Sequence, residues 1–175
     1  MIETTRIFGG DELGETVVAI DPAVTNKEAS DETGIIVAGK VGPKMRVIED
    51  LSMKGSPAEW AAKAINAYHR HEASGIVVEV NQGGDMIKAI LHQMDNTVPV
   101  KEVRATKGKH VRAEPVVALY EQGLVEHVNG LDDLEDQMMS WIPHESDSPD
   151  RVDALVWAAH HLMLNRSPSL FIGGV

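Results

Sequence analysis

One short stretch limits what this chain can fold into. Thr16 to Ile20 (Thr-Val-Val-Ala-Ile) is a continuous apolar run that ends on Asp21-Pro22. A strand with no polar face must be covered on both sides, and the proline stops its pairing. A second run, Ile76-Val77-Val78-Glu79-Val80, has the same character but carries an acid within it. With 43% hydrophobic residues in 175, there is material for one compact domain built around such strands.

The rest of the chain sorts by hydrophobic period and punctuation. Gly34 to Ala38 and Met45 to Leu51 read as strands separated by the turn Gly42-Pro43, so the first three strands form an antiparallel meander. Ser56-Pro57-Ala58-Glu59 has the residues of a capping box with proline at the first helical position. Trp60, Ala64, Ile65 and Tyr68 then recur at helical spacing, and Gly75 is the expected stop. Gly83-Gly84 precedes a helix running to about Met94, and Val98 to Val103 reads as a short strand broken by Pro99. A helix from Val111 to Gln122 with Pro115 near its start, a strand from Leu124 to Val128 and a helix from Leu131 to Ser140 follow. Ser148-Pro149-Asp150 repeats the Ser-Pro start and opens a last helix with Val152, Leu155, Val156, Ala159, Leu162 and Met163 on its apolar face. Three strands, a helix, then strands alternating with helices describe an α/β domain, its mixed sheet an antiparallel meander continued by parallel strands and flanked by helices. Residues 1–14 are expected to be a lead-in, residues 15–166 the domain, and residues 167–175 a flexible tail.

Several functions are excluded or disfavoured. No cysteine is present, so disulfides, thiolate zinc sites and cysteine nucleophiles are ruled out. No apolar run is long enough to span a membrane, and the N-terminus lacks a signal pattern. The G-x-x-x-x-G-K-[ST] phosphate loop is missing, so ATP hydrolysis is not expected. With 16 Lys and Arg against 27 Asp and Glu, the formal charge is −11. That charge argues against a simple nucleic-acid-binding module. It weighs less against a metal-dependent nuclease, whose carboxylates hold the cations that meet phosphate.

Three acids stand where an ionised carboxylate is costly. Asp21 ends a buried strand, Glu79 interrupts another, and Asp153 lies beside the apolar face of the last helix. Each has a plain alternative. Asp21 before Pro22 suits a turn, and Glu79 could pair with a distant base such as Arg104. Asp150, in the first turn of the last helix, suits the helix dipole. It shares a face with Asp153, so both could reach one metal. Acids delivered by three separate elements are also how a sheet-based metal site is built.

The residues around these acids resemble a known family. Asp21-Pro22-Ala23, Val78-Glu79-Val80-Asn81-Gln82-Gly83-Gly84-Asp85, Leu119-Tyr120-Glu121-Gln122-Gly123, Leu134-Glu135-Asp136-Gln137-Met138 and Ser148-Pro149-Asp150-Arg151-Val152-Asp153-Ala154-Leu155-Val156-Trp157-Ala158 occur in order. From about Glu15 to Met163 the chain resembles the C-terminal nuclease domain of phage terminase large subunits. The resemblance implies a ribonuclease H-like fold and two-metal hydrolysis of phosphodiesters in double-stranded DNA. By position, Asp21 would bridge the metals, Glu79 would be the second-strand acid and Asp153 the last-helix acid, assisted by Asp150. Two Mg²⁺ or Mn²⁺ ions suit such oxygen ligands better than zinc. An ATPase domain, a small terminase subunit and a portal would be partners in the full motor, within the host cytoplasm. The chain would then be an excised domain or a stand-alone nuclease.

Lys101, Arg104, Lys107, Lys109 and Arg112 form the main basic cluster. They read either as a solvated loop or as phosphate contacts that position DNA without reading sequence. His69, His71, His160 and His161 lack zinc-ligand spacing and suit surface or packing roles. Met138, Met139 and Trp141 read as core or partner contacts. Gly83-Gly84-Asp85 reads as a close helix start before a phosphate cradle. Other readings kept open are a Holliday-junction resolvase-like nuclease, a non-catalytic portal-docking domain and an actin-like ATPase, whose usual second half this length cannot hold.

Overall fold

The computed structural model describes residues 12–22, 32–80, 84–141 and 149–165. The order is β1 (Thr16–Asp21), β2 (Glu32–Val41), β3 (Lys44–Asp50), β4 (Met53–Lys54), α1 (Pro57–Arg70), β5 (Gly75–Glu79), α2 (Gly84–Met94), β6 (Val100–Val103), α3 (Lys109–Glu121), β7 (Val125–His127), α4 (Asp132–Ser140) and α5 (Asp150–Ala159). A π-helical turn, His160–Leu164, prolongs α5. The expected lead-in and tail fall almost wholly outside the described residues.

The sheet runs β6-β5-β1-β2-β3-β7, with the short β4 paired to β2. Strands β1, β2 and β3 form the expected antiparallel meander. Strand β5 joins β1 in parallel and β6 joins β5 in parallel. Strand β7 returns to the far side and pairs in parallel with β3. Strand β1 is therefore central, where the antiparallel and parallel halves meet.

The period of two along these strands divides the core into two layers. Val17, Ala19, Ile36, Ala38, Met45 and Val47 face α3, α4 and α5. Val18, Ile20, Ile35, Val37, Ile76 and Val78 face α1 and α2. The same alternation places Asp21 on the α5 side of β1, and Glu79 on that side of β5.

Helix α1 begins as expected, with Ser56 and Glu59 forming a reciprocal capping box. Its end is a correction. Glu72 adopts the left-handed conformation (φ 48°), and the Ala73 amide donates to the Tyr68 carbonyl, closing the helix before Gly75 is reached. Gly75 instead opens β5, where an added Cβ would lie 2.9 Å from the Pro99 carbonyl oxygen of the adjoining strand segment. Helix α3 starts two residues earlier than expected, so Lys109 is its first residue and Pro115 lies within it.

Helix α5 departs furthest from its expected form. It is not amphipathic: every residue from Val152 to Ala159 is buried. Pro149 rather than Ser148 is its N-cap, without a side-chain cap; Ser148 lies outside the described residues. Arg151 anchors its first turn instead. The guanidinium Nε donates to Asp50 on β3 at 2.8 Å and Nη1 pairs with Glu32 on β2. Gly34 on β2 allows the helix to lie flat on the sheet. A Cβ there would overlap the Asp150 carbonyl and crowd the Ala154 methyl.

Candidate metal centre

Asp21, the last residue of β1, points into the space closed by the first turns of α5. One carboxylate oxygen each from Asp21, Asp150 and Asp153 lies within 4.8 Å of the others. Asp21 and Asp153 are buried, while Asp150 is half-exposed. Among the described residues, these three acids converge closely enough to share one ion. The sequence left open whether Asp150 or Asp153 serves; the helix presents both.

Burial is the largest cause pushing the Asp21 pKa up, to about 9, followed by the charges of Asp153 and Glu79. Lys109 opposes them. Its Nζ sits 2.5 Å from Asp153 Oδ2, reaching in from the first residue of α3. Burial alone would lower the Lys109 pKa, but the hydrogen bond and charge of Asp153, with Asp21 and Asp150 behind it, raise it. One ammonium faces three converging acids, so the cluster offers hard oxygen donors in excess of its own positive charge. That donor set fits a divalent cation such as Mg²⁺ or Mn²⁺. Because Lys109 competes for Asp153, Lys109→Ala is expected to tighten Mn²⁺ binding by roughly tenfold in calorimetry. An unchanged affinity would mean that the lysine leaves the site without cost.

Glu79 stands beside this cluster but is engaged differently. Its Oε2 accepts a hydrogen bond of 2.7 Å from the Trp157 indole Nε1 and lies 3.8 Å from Arg112 Nη2. Arg112, not Arg104, is the base it meets. The five basic residues are thus divided. Lys101, Arg104 and Lys107 are exposed, Lys109 enters the acid cluster, and Arg112 is buried against Glu79 and the Trp157 ring.

Trp157 and His160 were not singled out by the sequence as site residues. His160 Nε2 lies 2.9 Å from the Arg112 carbonyl oxygen. The available signal was a stripe. Asp150, Asp153, Trp157 and His160 recur at spacings of three or four, so residues with polar atoms line one face of an otherwise apolar helix. His69, His71 and His161 meet Asp95, Glu49 and Glu15, away from this centre, in keeping with surface roles.

Fold and site together define a ribonuclease H-like α/β domain with an acidic centre at the end of its first strand. The family model of the terminase RNaseH-like domain matches residues 18–162, and the chain belongs to that family. Similar solved structures include the large terminase of a thermophilic bacteriophage in complex with ADP. It has 10% identity and a TM-score of 0.73, over 92% of this chain and 43% of that one. The human cytomegalovirus terminase nuclease domain matches with 13% identity and a TM-score of 0.62, over 82% of each chain. The large terminase nuclease of thermophilic phage G20c, with bound zinc, has 15% identity and a TM-score of 0.65, over 84% of this chain and 82% of that one. The chain spans about two fifths of the ADP-bound phage protein. No curated protein matches it.

Proposed function

We propose that this domain is a metal-dependent DNA endonuclease that hydrolyses phosphodiester bonds of concatemeric double-stranded DNA, with little sequence preference, during packaging. The observation that carries the reading is the convergence of Asp21, Asp150 and Asp153 at the end of the central strand, in a family of terminase domains. Asp21, Asp150 and Asp153 would hold divalent cations, Mg²⁺ or Mn²⁺, with Glu79 as a further ligand toward a second ion. Manganese-soaked crystals of the cytomegalovirus domain and the zinc-bound G20c nuclease support divalent binding in this fold. Bound there, the cations would supply an activated water and charge stabilisation for the leaving 3′-oxygen.

The chain's own residues then have limited tasks. The carboxylates bind and orient, and no protein nucleophile is required. Burial of Asp21 and Asp153 keeps bulk water from competing for the same oxygens. The exposed Lys101, Arg104 and Lys107 would contact phosphate and orient the backbone, and Lys109 would join them only by leaving Asp153. Arg112, buried against Glu79 and Trp157, would act through Glu79 rather than on phosphate. At −11 formal charge, the isolated domain is expected to bind DNA weakly, with tight binding supplied by the ATPase domain, small subunit and portal of the motor in the host cytoplasm. A salt-resistant nanomolar complex of the domain alone would contradict that.

Plasmid nicking in Mn²⁺, Mg²⁺ and EDTA tests the reading. Cutting in either metal, none in EDTA, and loss in Asp153→Asn are expected, with no preference for four-way junctions. A strong junction preference would favour a resolvase. Absence of both cutting and Mn²⁺ binding would favour a portal-docking role.

A further inference from the structure

We infer that Trp157 and Arg112 are positioning residues for Glu79, fixing which of its two oxygens is offered to a cation. This rests on the metal reading above.

Both close contacts fall on the same atom. Trp157 Nε1 donates to Oε2 at 2.7 Å, and Arg112 Nη2 lies 3.8 Å from the same oxygen. All three side chains are buried. Oε2 is therefore committed to helix α5 and helix α3, and Oε1 is the atom left to meet an ion. Glu79 in this arrangement is a one-oxygen ligand whose reach is set by an indole, whereas Asp153 in the neighbouring aspartate cluster meets the Lys109 ammonium.

The holders are themselves held. The Arg112 guanidinium carbon lies 4.9 Å from the Trp157 ring centroid, a cation–π distance, and Nη1 donates to the Lys107 carbonyl at 2.7 Å. Arg112 Nε is buried and has no hydrogen-bond partner among the described residues. The place of the guanidinium is thus set by its charge beside Glu79 and its stacking on Trp157 rather than by a saturated hydrogen-bond network. Lys109 and Arg112 lie one turn apart on α3 and meet Asp153 and Glu79 respectively. The start of α3 thus addresses the two halves of the centre separately. Partners that orient a metal ligand commonly contribute as much as tenfold or more to affinity.

The consequence is an asymmetric centre. One ion is held by the three aspartates, and a weaker one depends on Glu79 being aimed. Calorimetric Mn²⁺ titration of the wild-type domain, Trp157→Phe, Glu79→Gln and the double variant reads this directly. Trp157→Phe keeps a ring under Arg112 but removes the N–H. It is expected to weaken the lower-affinity binding event about tenfold and to leave the tighter one within about twofold. Glu79→Gln should do the same, and the double variant should be no weaker than Glu79→Gln alone. Should Trp157→Phe fold poorly by thermal melting, Glu79→Asp serves instead. Its shorter side chain cannot satisfy the indole and the ion together, and the same selective weakening is expected. Equal weakening of both events, additive losses in the double variant, or no change would overturn the inference while leaving the metal reading intact. No Mn²⁺ binding by the wild type would remove both.

Discussion

Replacing Asp21 with asparagine is expected to abolish cutting while making the metal-free domain more stable. The loss should be at least about three orders of magnitude in rate, because Asp21 is the strand acid that meets both helix acids and feels the charge of Glu79 as well. The gain in stability follows from its pKa. Burial first, and then the charges of Asp153 and Glu79, push the folded value to about 9, against about 4 in an unfolded chain. Between those values the folded state binds more protons than the unfolded one, so metal-free stability falls as pH rises through that window. Asparagine cannot ionise. It should remove that slope and raise stability near pH 8 by about 1–2 kcal/mol, as substitutions at strained functional sites do. Denaturant melts from pH 5 to pH 9 check this. A variant that is inactive and also less stable would make Asp21 a structural residue. The same linkage makes cation binding expel a proton, so Mn²⁺ affinity should rise with pH, by up to about tenfold per unit below pH 9.

Gly34→Ala is expected to damage the centre without replacing any of its acids. The added methyl would overlap the Asp150 carbonyl and press on the Ala154 side chain. The colliding atoms are backbone, so helix α5 itself must move away from β2. Overpacking of this kind costs about 2–3 kcal/mol. Asp150 and Asp153 ride on the displaced turn, and misplacement by about 1 Å can cost a hundredfold in rate. The expected result is therefore a lower melting temperature together with roughly hundredfold slower nicking in the still-folded protein. Normal cutting in a destabilised Gly34→Ala domain would show that the start of α5 tolerates movement and that the acids re-form their cluster.

What the sequence made legible was whatever local chemistry marks. Asp21 and Glu79 stood out because each breaks an apolar run. The meander followed from short connections and the Gly42 turn, and the capping box at Ser56 marked α1. What it left dark depends on how distant elements dock. Nothing local to Arg112 says that its guanidinium turns inward, since that follows from α3 lying across α5 and meeting Trp157 and Glu79 there. The same docking separates Lys109 from the basic loop it belongs to in sequence. Helix α5 looked one-sided because its polar stripe resembles a solvent face. That stripe instead faces the site, and Arg151, which looks like an ordinary surface charge, ties the helix to β2 and β3. The closure of α1 at Glu72 had no signal, because a left-handed glutamate carries none of the glycine signature used to find helix ends.

If the three aspartates form one cation site, the position of a bound ion will show it. Crystals of the domain soaked in Mn²⁺ and measured at the manganese absorption edge should give an anomalous peak in contact with Asp21, Asp150 and Asp153, absent in Asp21→Asn. A peak confined to other residues, or cutting that persists with no peak at these acids, would contradict the account.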